Sequence, residues 1–99
     1  MMMGTGGELS TLGVVAGNGL YPRMIIEGAR RRVPGIRIVA VAFQGETKPD
    51  IDELADKVEW FRVGQISKPF KFLKKNGVEK VAMVGQLAPK NLFNLRPDL

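Results

Sequence analysis

The chain has 99 residues, 44% of them hydrophobic and 25% charged, with a net charge of +5; that is the length of one small domain and the composition of a globular one. It contains no cysteine and no histidine, which excludes disulfides, thiolate nucleophiles, imidazole bases and the usual zinc ligands. Any catalytic group is therefore an Asp, Glu, Lys, Tyr, Ser or Thr, or belongs to a part of the protein outside this chain.

Residues 1–10, MMMGTGGELS, lack the charged start and apolar centre of a secretion signal. They read as a disordered lead-in, and the domain proper as residues 11–99. No apolar run approaches the roughly 20 residues of a membrane span, so a cytoplasmic location is expected. Residues 11–16 (TLGVVA) read as a buried strand. Residues 22–33 (PRMIIEGARRRV) read as a helix with Pro22 at its first position, where a missing N–H costs nothing. Ile25, Ala29 and Val33 form its expected apolar stripe. Arg30, Arg31 and Arg32 crowd its last turn, where positive charge complements the helix dipole, and Pro34-Gly35 ends it.

Residues 36–43 (IRIVAVAF) form a second strand rich in β-branched side chains. A polar loop leads to a short helix over residues 50–57, with Asp50 as its cap. A third strand is expected at 58–63. Residues 67–76 (SKPFKFLKKN) read as a third helix with Gly77 closing it. Its core face is expected to be Ile66, Phe70, Leu73 and Gly77, its wet face Lys68, Lys71, Lys74 and Lys75. Residues 80–84 (KVAMV) are a fourth strand, and residues 85–99 show no clear period.

Strands alternating with helices predict an α/β fold with a parallel sheet. Right-handed crossovers make 3-2-1-4 the expected strand order, a Rossmann-like three-layer sandwich. In that order two helices cover one face and only the third helix covers the other. One face is then under-covered for strands so apolar, which points to a second domain or another subunit.

Gly17-Asn18-Gly19 lies at the carboxyl end of the first strand and leads into a helix start. Glycines let backbone approach a ligand closely, and the N–H groups at a helix start favour an anion. In the 3-2-1-4 order this loop neighbours Gly85-Gln86, beside the switch point where ligands bind in such sheets. Two readings stay open here: a phosphate seat, or two tight turns. A dinucleotide fingerprint G-x-G-x-x-G is broken by Pro22, and Glu46 lies in the loop beyond the second strand rather than at its end. The P-loop pattern is also absent.

The lysine face of the third helix suits a solvated surface, with an anionic membrane as the alternative; no nucleic-acid partner is expected. Asp50, Asp52, Glu53 and Asp56 suit a cap and a wet surface more than a hard-cation site. No carboxylate lies close to the glycine loops in sequence, so an expected binding crevice comes without an evident general base. Lys90 and Arg96 follow the fourth strand and are placed to meet an anionic ligand. Leu92, Phe93 and Leu95 read as a loop packing on the core or as part of the site.

The segment LGVVAGNGLYP (12–22) resembles the opening of the two-domain UDP-2,3-diacylglucosamine pyrophosphatases, commonly L-G-[IL]-I-A-G-x-G-x-L-P. Residues 63–99, VGQISKPFKFLKKNGVEKVAMVGQLAPKNLFNLRPDL, resemble the stretch that closes that family's first domain. The family glycines map onto Gly17, Gly19 and Gly85, and its proline onto Pro22. Asn18 stands where another glycine is frequent, Tyr21 where a leucine is usual, and the position of Gln86 varies.

The resemblance implies hydrolysis of the pyrophosphate of a UDP-linked diacylated glucosamine to UMP and the lipid sugar 1-phosphate. That is a step of lipid A synthesis on the cytoplasmic side of the inner membrane, where peripheral contact is expected. It also implies a divalent metal, usually magnesium, and a C-terminal domain carrying the catalytic acid. On this reading the chain is the N-terminal, substrate-binding domain, inactive alone, with the missing domain and a homodimer as partners. No cofactor is expected on this domain itself. Its ligand residues would be Gly17, Asn18, Gly19, Leu20, Gly85, Gln86 and Lys90. The alternative is a stand-alone nucleotide- or phosphate-binding module without catalysis.

Overall fold

A computed structural model describes residues 10–85. The elements are β1 (Thr11–Ala16), α1 (Tyr21–Arg32), β2 (Arg37–Phe43), α2 (Ile51–Leu54), β3 (Lys57–Phe61), α3 (Ser67–Lys75) and β4 (Lys80–Val84). The strands form one sheet in the order β3-β2-β1-β4, and every pair is parallel. The expected α/β topology is present. No helix among the described residues is long and apolar enough to cross a membrane.

β2 lies at the centre, and every residue from Ile38 to Phe43 is buried. Its side chains alternate between two cores, as the two-residue period of a strand requires. Ile38, Ala40 and Ala42 join Val14, Ala16, Ile26, Ile36 and Ile51 beneath α1 and α2. Val39, Val41 and Phe43 join Val15, Phe61, Phe72 and Leu73 beneath α3. Strands covered on both faces carry such near-continuous apolar runs.

α3 turns a different face inward than its sequence stripe suggests, and α1 keeps two of its three stripe residues. In α1 the buried residues are Pro22 and Ile26, with Ala29 and Val33 packed beside them; Ile25 is 39% exposed. In α3 the buried set is Pro69, Phe72 and Leu73, while Ile66 and Phe70 lie largely in solvent. The spacing 69-72-73 satisfies a helical period as well as 66-70-73 does. Tertiary packing decides between them: Phe72 meets Phe61 edge-on with ring centroids 6.0 Å apart. The four lysines of α3 are exposed as expected.

Gly77, at φ 76°, closes α3 in a Schellman turn: Val78 N–H donates to Leu73 O and Gly77 N–H to Lys74 O, both at 3.1 Å. α2 stops at Leu54 because Asp56 is drawn to β2. Its N–H donates to Ile38 O at 2.9 Å and its carboxylate accepts Ile38 N–H at 2.7 Å. β3 ends early because Arg62 N–H turns aside to the side-chain oxygen of Gln65.

Among the described residues one face carries α3 alone, as the strand order implies. Val81 and Met83 share register with Gly13 and Val15 on the α3 side, yet are 42% and 63% exposed. Nearer the centre of that face, α3 is held close by Gly13. A Cβ there would lie 2.6 Å from Val78 Cγ1 and 3.2 Å from Leu73 Cδ2.

A glycine-lined switch point as candidate functional site

β1 and β4 carry their pairing one residue beyond the strands. Gly17 N–H donates to Val84 O at 2.7 Å, just past the Ala16–Val84 register pair. The chain then turns at Gly85, whose φ is 108°. A Cβ at Gly85 would sit 2.9 Å from Gly17 Cα, Gly17 C and Asn18 O, so backbone fills the space a side chain would need. The two glycine loops are therefore in direct contact at the carboxyl ends of neighbouring strands. Gly19 serves differently. Its φ of 83° has open space around it, so it bends the chain into α1 without close packing.

The start of α1 is uncapped. Leu20 occupies the cap position without a side-chain hydrogen bond, no acidic residue lies in the first turn, and Pro22 holds the second helical position. The N–H groups of Asn18, Gly19, Leu20 and Tyr21 donate to no backbone carbonyl among the described residues. Unpaired N–H groups there carry the positive end of the helix dipole and favour a negative ligand. Gly17 drops out of this set, because its N–H is used by Val84.

Glu46 enters the site from the loop after β2, where sequence distance had set it aside. Asn18 Nδ2 donates to Glu46 Oε1 at 3.3 Å across 28 residues. Thr47 is the reason the loop comes so near. It is a buried polar side chain, its hydroxyl accepts Phe43 N–H at 2.8 Å, and it donates to Ala16 O at 2.5 Å. One hydroxyl thus ties the end of β2 to the end of β1. The Glu46 contact also fixes the Asn18 amide, since the reverse orientation would face oxygen to carboxylate. Asn18 Oδ1 is then buried, with no hydrogen-bond partner among the described residues.

The charged groups nearby are engaged elsewhere. Arg23, in the first turn of α1, donates to Asp50 at 2.7 Å and Glu27 at 3.1 Å. Those bonds, Asp50's first, raise its already high pKa. Asp50 is thus an arginine partner and makes no side-chain cap. Asp52 accepts the indole N–H of Trp60 at 3.0 Å. Asp56 accepts Ile38 N–H and, at 3.2 Å, Arg30; the backbone bond, ahead of Arg30, lowers its pKa. Asp50, Asp52 and Asp56 are each spent on a different partner. Among the described residues no three Asp or Glu side chains gather where a metal could sit.

Of the residues expected to hold ligand, the structure brings together Gly17, Asn18, Gly19, Leu20 and Gly85. Gln86 and Lys90 lie outside the described residues, as do Arg96, the apolar tail residues and the lead-in at 1–9.

The fold and these loops define the class first: an α/β domain of Rossmann-like topology in which β1 and β4 meet at a glycine-lined switch point. The family described as "LpxI N-terminal domain" matches residues 11–99, and the chain belongs to it. LpxI is a UDP-2,3-diacylglucosamine hydrolase, which ties the chain to lipid A biosynthesis. The match supports a hydrolase of this substrate and does not extend to the pyrophosphatase that the resemblance implied. No curated protein and no solved structure gives a significant match.

Proposed function

We propose that this domain binds the phosphate-bearing part of UDP-2,3-diacylglucosamine. Hydrolysis of the pyrophosphate to UMP and 2,3-diacylglucosamine 1-phosphate would then be completed by groups outside the described residues. The observation that carries this reading is the meeting of Gly17-Asn18 with Gly85 beside the N–H groups that open α1, which donate to no backbone carbonyl among the described residues. Backbone N–H donors in fixed positions match charge on phosphate oxygens. Leu20, Tyr21 and Met24 are exposed at the same helix start, and an apolar rim suits the acyl chains of a lipid sugar.

A hydrolase also needs a base to direct water, and magnesium is the metal the resemblance implies. The described residues do not fit a metal: each of their carboxylates near the switch point already holds an N–H or a guanidinium. We assign metal and base to a second, carboxylate-bearing domain. The open face over Val81 and Met83 leaves apolar surface for such a domain to cover. A cytoplasmic site at the inner membrane surface fits this assignment, with the lysine face of α3 turned to anionic lipid.

Titration of the 99-residue chain with UMP, followed by amide chemical shifts, tests the reading. Shifts are expected at Asn18, Gly19, Leu20 and Gly85, with Gly77 at the opposite end of the sheet unmoved. Shifts confined to the α3 lysines would overturn it. With magnesium and UDP-2,3-diacylglucosamine the same chain should show no turnover, and turnover would overturn the assignment of the base to another domain.

A further inference from the structure

We infer that Glu46 holds the ribose of the bound nucleotide, its carboxylate accepting the vicinal 2′- and 3′-hydroxyls. The inference rests on the nucleotide reading above and adds the direction in which the ligand lies.

Three observations lead to it. Glu46 stands against the glycine loop, within hydrogen-bond distance of Asn18, and Thr47 holds it there through two strand ends. Only Oε1 has a hydrogen-bond partner among the described residues. Glu46 is only partly buried, which leaves its second oxygen able to accept. An ionised carboxylate accepts hydrogen bonds and donates none. Whatever ligand group lies against Glu46 must therefore be a donor and must not be a phosphate, which the carboxylate repels.

The two ends of the site are then chemically distinct. The start of α1 offers donors for phosphate, and the end of β2 offers an acceptor for hydroxyls. In open sheets of this topology an acidic side chain after the second strand commonly takes a ribose. The proposed substrate has one pair of hydroxyls on adjacent carbons. Its glucosamine is acylated at positions 2 and 3, which leaves the 4- and 6-hydroxyls apart, so the ribose alone supplies a vicinal diol. Glu46 thus sets the polarity: uridine over β2, the pyrophosphate over residues 18–21, and the acylated sugar toward β4 and Gly85.

The test compares UMP with 2′-deoxy-UMP by amide-shift titration, on the wild-type chain and on Glu46→Gln. Gln keeps an acceptor for Asn18, so the loop is preserved; unchanged amide shifts of Gly17 and Thr47 in the free variant check this. The wild-type chain should prefer UMP roughly tenfold, the ratio for a hydrogen bond to a charged group. Glu46→Gln should bring the two ligands to within about twofold by weakening UMP alone. Equal affinities in the wild type, or a preference that survives in Glu46→Gln, would overturn the ribose assignment while leaving the phosphate seat intact. The wild-type comparison decides this even without a folded variant. Failure of both nucleotides to bind would overturn the nucleotide reading itself, and this inference with it.

Discussion

Gly85→Ala tests the contact on which the site is built. Two costs act together. The backbone at Gly85 has φ 108°, where an L side chain is strained by roughly 1–2 kcal/mol. The new methyl would also lie 2.9 Å from three backbone atoms of residues 17 and 18, which cannot rotate away as a side-chain tip can. Separating the loops would strain the Gly17–Val84 hydrogen bond as well, worth about 1 kcal/mol. The total is about 3 kcal/mol, or a fall in Tm on the order of 12–24 °C for a domain of this size. Gly19→Ala is the matched control. It has the same sign of φ but nothing within 4 Å, so only the conformational cost of about 1 kcal/mol remains. Urea unfolding followed by Trp60 fluorescence reads both. If Gly85→Ala costs no more than Gly19→Ala, the loops are not packed as described and the site loses its basis.

Thr47→Val should cost about 2–4 kcal/mol, because it leaves the buried Phe43 N–H and Ala16 O without their hydroxyl partner; Thr47→Ser should recover most of that in the same urea assay. Phe72→Ala should lose about 3–5 kcal/mol of core packing, while Phe70→Ala, at an exposed position, should stay within about 0.5 kcal/mol. Equal losses at 70 and 72 would refute the observed face of α3. Asp56 has its pKa lowered by the Ile38 N–H and then by Arg30. Its contribution to stability is therefore complete above the ordinary carboxylate value of 3.8 and is lost as pH falls through the lower folded value. Asp56→Asn should flatten that acid limb in a pH series of thermal melts, and an unchanged limb would refute the role.

The topology was legible because apolar strand runs, their alternation with helices and the handedness of crossovers leave few arrangements. Helix faces were less legible. Phe70 and Phe72 both fit a stripe on α3, and only the position of Phe61 on β3, a long-range fact, chooses Phe72. Ile25 and Ile26 posed the same ambiguity on α1. Adjacency of Gly17 and Gly85 followed from strand order alone. Glu46 did not, since its approach depends on the bond its neighbour Thr47 makes to Ala16 at the end of β1, 31 residues away in sequence. The signal was present in Thr47, a polar residue in the loop after the apolar run Ile38–Phe43, which asks what its buried hydroxyl binds. Asp50 had the residue type of a cap, yet Arg23 lay near enough to take its carboxylate.

The magnitudes also bear on how much this domain can do by itself. The positive character of the seat comes from the start of α1, because Arg23 and Arg30 are committed to carboxylates. A helix dipole contributes about 0.3–1 kcal/mol to a nearby anion, and up to roughly 2 where the ligand is partly buried. Two or three N–H bonds to phosphate add about 1.5–3 kcal/mol each before the cost of immobilising the ligand is subtracted. The gross gain is about 3–11 kcal/mol and association costs about 4 kcal/mol or more, so even at the upper end about 7 kcal/mol survives, a dissociation constant of roughly 10 μM or weaker. Such a seat selects and orients a phosphate, but it does not retain a scarce substrate or charge a water for attack. Tight binding and chemistry therefore both require further groups, which we assign to the same second domain. A dissociation constant for UMP in the low micromolar range would refute this arithmetic and would mean that side chains outside residues 10–85 already complete the seat.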